Sequence, residues 1–234
     1  MLPIDTKFKL LYFDVETASC EASLADLENK NPRLASLWTK RTAYYKSAYP
    51  ELAEASDAEI FLQKAALEPE FCRVVCVSFG MMEDNTEIRK MSFYGEDEVD
   101  ILNKTNKILK NAIAKHWKLC GHNIKGFDVP CLGKRMLYNG ISPSANIQMW
   151  DKKPWETPLV DTSEIFSFGN WVQQKYLGLD LLACSLGIKS PKDDIKGSDV
   201  SNVFWIDKDY DKIKEYCERD VETVVEIISA ISKN

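Results

Sequence analysis

The chain has 234 residues, 45% of them hydrophobic and 28% charged, which fits a soluble globular protein of one or at most two α/β domains. A formal net charge of -6 argues against bulk electrostatic binding along duplex nucleic acid. No apolar stretch approaches membrane-spanning length and no secretory signal leads the chain, so a cytoplasmic protein without membrane contact is expected. Cys20, Cys72, Cys76, Cys120, Cys131, Cys184 and Cys217 form no CxxC pair and mostly sit among apolar neighbours. They read as buried free thiols of a reducing compartment, and with only His116 and His122 beside them a zinc site is disfavoured.

Residues 10–17, LLYFDVET, carry a continuous apolar run that predicts a strand buried on both faces. Residues two apart on a strand share a face, so Asp14 and Glu16 project side by side. Such a pair repels unless a cation lies between them, or unless the strand has ended and both acids are solvated. Residues 18–70 then interrupt the sheet with helical periodicity. Leu34, Leu37, Trp38, Tyr45 and Ala48 recur at helical spacing up to Pro50, and Ser56 with Glu59 fits a capping box. With few large apolar residues, this insertion (about 20–70) is expected to lie on the domain without a core of its own.

Sheet character resumes at residues 73–80, RVVCVSFG, and a polar turn at 83–85 leads to 87–94, an antiparallel hairpin. An amphipathic helix is predicted over 96–115, a short strand over 118–122, and a helix over 128–138 with Pro130 in its first turn. Residues 141–158 read as loop, 159–162 as a strand, 179–186 as a helix closed by Gly187, and 190–198 as a charged loop. Asp207 is placed as the cap of a long helix, 208–232, with a buried stripe through Ile213, Tyr216, Cys217, Val221, Val224, Ile228 and Ile231. No linker divides the chain, so residues 1–234 are read as one domain.

Two further stretches bear on chemistry. In GHNIKGFDVPCL, Asp128 sits where a loop becomes a helix, which is also where an N-cap belongs. In YCERD, Tyr216 and Asp220 are four apart and share a helix face; Asp220 falls on the buried stripe and needs a partner there, a metal or a basic side chain. The order Asp-x-Glu, Asp, Tyr-x3-Asp, carried by FDVET, HNIKGFD and YCERD, resembles the DEDD-type 3′–5′ exonucleases of the ribonuclease H-like superfamily. Tyr216, with Glu215 where the histidine branch would carry its base, makes the tyrosine branch the better match. Stand-alone relatives of the exonuclease domain of family B DNA polymerases look most similar. The stretches LEPEFCRVVCVSFG, DTSEIF, LDLLACSLGI and KGSDV extend the resemblance over most of the chain apart from the insertion.

The resemblance implies a mixed five-stranded sheet flanked by helices on both faces, its first three strands antiparallel and the central one carrying Asp14. It implies metal-dependent release of nucleoside 5′-monophosphates from a single-stranded 3′ end, with two Mg2+ or Mn2+ ions held by Asp14, Glu16, Asp128 and Asp220. Asp14 would touch both ions, and Tyr216, neutral at pH 7, would orient the attacking water. Thr17, Asn123, Lys125, Phe127 and Arg135 are the expected substrate contacts, with Asn123 alternatively holding its own loop. Asp161 reads as a supporting acid or as a helix cap, and His122 as structural. Residues 38–46, WTKRTAYYK, interleave aromatic and basic side chains as single-strand binders do, or pack their aromatics on the domain. WDKKPW at 150–155 borders the cleft or forms a surface loop. DNA is expected ahead of RNA, and proofreading, where it occurs, would be for a polymerase in trans. An exoribonuclease of the same chemistry and a catalytically silent nucleic-acid-binding module are the alternatives.

Overall fold

The structure, a computed structural model, describes residues 9–83, 87–153, 156–169, 177–189 and 195–232. Its strands are β1 (Leu10–Ser19), β2 (Cys72–Glu83), β3 (Glu87–Tyr94), β4 (Lys118–Gly121) and β5 (Leu159–Asp161), in the sheet order β3-β2-β1-β4-β5. β2 runs antiparallel to both of its neighbours, β1 and β3, while β4 and β5 run parallel to β1. The mixed sheet expected from the sequence is therefore present, with the FDVET strand at its centre.

Period-2 alternation along β1 sorts its side chains between two helical layers. Leu11, Phe13 and Val15 face α4 (Glu98–Ala114) and α5 (Asp128–Tyr138), in a core with Leu102, Leu109 and Leu132. Tyr12 faces the other way, against α7 (Leu179–Ser185) and α9 (Tyr210–Ser232), with Leu182, Val221 and Val224. Each fully buried side chain of this size contributes about 1.5–3 kcal/mol, so register is strongly fixed on both faces. Asp14 and Glu16 continue the Tyr12 face and so point towards α9.

Two glycines set close approaches. A Cβ on Gly80 would lie 2.6 Å from Val221 Cγ1, so its absence lets α9 settle onto β2. A Cβ on Gly121 would lie 2.3 Å from Ile124 Cγ2 and 2.7 Å from the Phe13 carbonyl oxygen. The parallel ladder between β1 and β4 ends with Tyr12 opposite Cys120. Past that point the chain after β4 turns across β1 in place of another ladder step. Between Glu16 and Thr17 the register with β2 shifts, a bulge that leaves Val75 without an opposite residue.

The insertion comprises α1 (Leu24–Lys30), α2 (Pro32–Ala48) and α3 (Asp57–Lys64), followed by a 3-10 turn at Ala65–Leu67. Contrary to expectation, it builds an apolar cluster of its own. Trp38 is fully buried there with Leu27, Ile60, Phe61 and Ala65. Its ring meets Phe61 and Phe71 edge-on at 5.3 and 4.9 Å, and its indole N–H donates to the Asp57 carbonyl at 3.0 Å. One tryptophan supplies the apolar area that a count of aliphatic side chains overlooks. The capping box of Ser56 with Glu59 is present.

The long helix also starts later than expected. α6 (Thr162–Ser167), α7 and the short α8 (Val200–Asn202) precede a π-helical turn at Val203–Asp207, and Lys208 takes a left-handed backbone, φ +56°. Burial of Val203 and Phe204 beneath the sheet winds this stretch separately from α9. The capping acceptor is Asp209, whose Oδ1 takes the Lys212 N–H at 3.0 Å, and not Asp207. The predicted turn at 83–85 and charged loop at 190–198 fall largely outside the described residues.

Candidate active site

β1 and α9 bring the first and third sequence signals together. Asp14 and Glu16 sit opposite Ser78 and Cys76 on the sheet face that α9 covers. From α9, Tyr216, Cys217 and Asp220 are buried against that face. Cys217 is close enough to touch Asp14, its Sγ 3.3 Å from Oδ2 and 3.4 Å from the carbonyl oxygen.

Asp128 arrives from the other side of β1. Phe127 holds the N-cap position of α5, so Asp128 is the first helical residue and is buried. The loop that delivers it closes on Asn123, which adopts the left-handed conformation at φ +56°, one that asparagine tolerates well. The Asn123 carbonyl accepts from the Gly126 and Phe127 N–H groups, both at 3.0 Å. Asp161 then anchors the loop to β5: its Oδ1 accepts from Asn123 N at 2.8 Å and its Oδ2 from Lys125 N at 2.9 Å. The same carboxylate caps α6, taking Ser163 N at 2.9 Å. Of the two roles read for Asp161 the helix cap is filled, and the same carboxylate anchors the loop.

The electrostatics show how tightly the acids are crowded. Burial, then the neighbouring Asp128, pushes the Asp14 carboxyl up to about 8, against a weaker lowering by Cys217 and the Val15 N–H. Asp128 is pushed up to about 7, chiefly by burial, with Asp161 and Asp220 adding to it. Glu16 lies well above the usual carboxylate range through burial and the charges of Asp14 and Asp220. The Tyr216 phenol is also raised, by burial and then by Asp220, Glu16 and Asp14, so it stays protonated at neutral pH. Asp14, Glu16 and Asp128 all resist ionising beside one another, which marks a site short of positive charge.

The donor set fits a divalent cation. One ligand atom each from Asp14, Glu16 and Cys217 lies within 4.8 Å of the others. Carboxylate oxygen from four side chains suits a hard ion such as Mg2+, which also keeps water and phosphate in its shell. Cys217 is the buried free thiol that the sequence predicts. Its approach to Asp14 depends on the crossing of α9 over β1, which no local pattern records.

The expected substrate contacts divide. Thr17 donates its hydroxyl to the Ala66 carbonyl at 2.7 Å, fastening the insertion to β1 one residue beyond Glu16. Phe127 packs on the α4–α5 core. Lys125 is ion-paired with Glu164 at the edge of the second-motif loop. Arg135, expected to meet phosphate, instead forms a bidentate pair with Glu98, Nε to Oε1 at 2.8 Å and Nη2 to Oε2 at 2.6 Å, tying α5 to α4. Its guanidinium is therefore committed to packing. His122 is structural as read, its ring nitrogens bonded to Thr162 Oγ1 at 2.8 Å and the Leu177 carbonyl at 2.7 Å. In the WTKRTAYYK stretch, Trp38 and Tyr45 are buried in the insertion and Arg41 pairs with Glu68, the packing alternative. Trp150 is 73% exposed, while Pro154 and Trp155 lie outside the described residues.

The family model described as a predicted 3′–5′ exonuclease related to the exonuclease domain of PolB matches residues 64–225. The matched stretch contains Asp128, Tyr216 and Asp220, with Asp14 and Glu16 on the strand that precedes it. Among solved structures, the family B DNA polymerase of the hyperthermophilic archaeon Pyrobaculum calidifontis is similar in fold, with a TM-score of 0.54 at 15% identity. That likeness covers 93% of this chain and 24% of the polymerase, so the chain spans about a quarter of that protein. No curated protein matches the sequence. Among the described residues, no helix is long and apolar enough to cross a membrane.

Proposed function

Because the chain belongs to the family of predicted 3′–5′ exonucleases related to the exonuclease domain of PolB, we propose that it hydrolyses single-stranded DNA from the 3′ end and releases nucleoside 5′-monophosphates. The observation that carries this reading is that Asp14 and Glu16 lie together on β1, with Asp128, Asp220 and Tyr216 near enough for their charges to act on one another. Asp14, Glu16, Asp128 and Asp220 are the residues that would hold two divalent ions, Mg2+ or Mn2+. When bound, such ions supply Lewis-acid stabilisation of the phosphoryl oxygens and a water of lowered pKa.

The chain's own groups complete the chemistry. Tyr216, held neutral, offers its O–H and lone pairs to position a water beside the carboxylates. The Val15 N–H lowers the Asp14 and Asp128 carboxyls against the burial that raises them. The loop anchored by Asp161 fixes the start of α5, so Asp128 is presented by backbone geometry more than by its own rotamer. A net charge of -6 is consistent with gripping one strand end locally, where bound cations meet the phosphate. DNA is favoured because the fold resembles part of a DNA polymerase. Action for a polymerase in trans is the partner relation proposed.

A labelled single strand tests this. With Mg2+, mononucleotide should accumulate from an open 3′ end, and a 3′-blocked strand should survive. Internal cleavage of the blocked strand would show an endonuclease instead, and faster loss of the RNA strand of the same sequence would reassign the substrate.

A further inference from the structure

We propose that the active site has a second metal-binding mode, in which a thiophilic divalent cation of the zinc class is held by Asp14, Glu16 and Cys217 in competition with the hard cation. This rests on the reading of the acid cluster as a metal centre. It goes beyond that reading by giving the site a soft ligand and a means of inhibition.

Cys217 does not lie in a purely apolar setting. Its Sγ is 3.3 Å from Asp14 Oδ2, and ligand atoms from Asp14, Glu16 and Cys217 fall within 4.8 Å of one another. A tetrahedral ion with bonds of about 2.0–2.3 Å needs ligand atoms ~3.3–3.8 Å apart, so contracting the longest separation by roughly 1 Å closes the set. A further sulfur stands behind it: Cys76 pairs with Glu16 in the sheet register and its thiol hydrogen-bonds with Cys217. Asp14 is partly open to solvent, which gives an ion a way in.

The two kinds of ion use this arrangement differently. Mg2+ takes carboxylate oxygen and water and leaves the thiol protonated, as an S–H donor to Asp14. Zn2+ and Cd2+ bind sulfur and oxygen together. On their binding the S–H bond breaks, the proton passes to solvent and a sulfur–metal bond forms, with no change of oxidation state. Asp14 and Glu16 are then occupied, and Mg2+ is excluded until the soft ion is removed by a chelator.

Cadmium is the probe. For the wild-type protein the expected results are a cadmium NMR resonance in the mixed sulfur–oxygen range, an ultraviolet thiolate-to-cadmium band and proton release on binding. Cys217→Ser should remove that resonance and band and weaken cadmium binding on the order of tenfold or more. Asp14→Asn, with the thiol intact, should weaken it as well, which keeps the test valid if the serine variant does not fold. An all-oxygen resonance overturns the proposal, as does a sulfur-bearing signal unchanged in Cys217→Ser and so belonging to another thiol, such as exposed Cys184. Mg2+-dependent 3′-end degradation alongside an all-oxygen cadmium signal would leave the exonuclease reading standing and sink only the thiolate site. A Cys217-dependent sulfur signal without Mg2+-dependent degradation would do the reverse.

Discussion

Asp161 carries three backbone N–H groups on one carboxylate, from Asn123, Lys125 and Ser163. Asn has the same shape but puts an NH2 where one of those donors needs an acceptor, and leaving a buried donor unmet costs about 1–3 kcal/mol. Asp161→Asn is therefore expected to lose stability in that range by denaturant unfolding. It should also slow 3′-end degradation, because the loop that sets Asp128 is released. Unchanged stability and rate would mean the loop holds itself. At this scale the sequence was legible by residue type and opaque by partner. Asp14, Glu16, Asp128, Tyr216 and Asp220 stand out because their order and spacing match a pattern. The pairing of Arg135 with Glu98 and the approach of Cys217 to Asp14 leave no trace in the sequence, because those partners are 37 and 203 positions away.

Among the elements, β1 and the hairpin of β2 and β3 were readable because short continuous apolar runs and a polar turn are local signals. The insertion's helices were readable for the same reason, through Pro50 and the Ser56 capping box. Its core was not, since edge-on contacts of Trp38 with Phe61 and Phe71 arise only once α2, α3 and the start of β2 converge. Trp38→Ala should remove about 3–5 kcal/mol, the usual cost of emptying a buried aromatic site. The loss should appear as early proteolysis or exchange within α1 to α3, with Thr17 and its bond to Ala66 the route by which the loosening reaches β1. Protection that stays uniform across the chain would show the insertion and the sheet unfolding as one unit. The start of α9 departs from the sequence reading because residues 203–207, with Val203 and Phe204 buried, wind as a π-helical turn, and the capping acceptor is Asp209 in place of Asp207.

Over the whole molecule, the crowded acids tie stability to pH. In the metal-free fold the Asp14 carboxyl is pushed up to about 8 and that of Asp128 to about 7, both chiefly by burial and both above the ordinary 3.8. Between roughly pH 4 and pH 8 the folded state therefore holds protons that the unfolded chain has released, and stability falls as pH rises. Each such carboxyl contributes at most ~1.4 kcal/mol per pH unit across its window. The thermal midpoint of the metal-free protein should drop between about pH 5 and about pH 8, less steeply in Asp14→Asn, and Mg2+ should restore it at the upper end. A midpoint rising over that interval would mean the acids are not crowded as described. The same crowding connects fold to function, since groups that destabilise the empty site are those a cation would satisfy.

The most direct test of that connection is Asp14→Ala, assayed with Mg2+ on a 3′-labelled single strand beside the wild type. The account predicts that the wild type releases mononucleotide, that the variant releases none above background, and that the variant's circular dichroism remains that of a folded protein. A folded Asp14→Ala protein that still degrades the strand at the wild-type rate would contradict it.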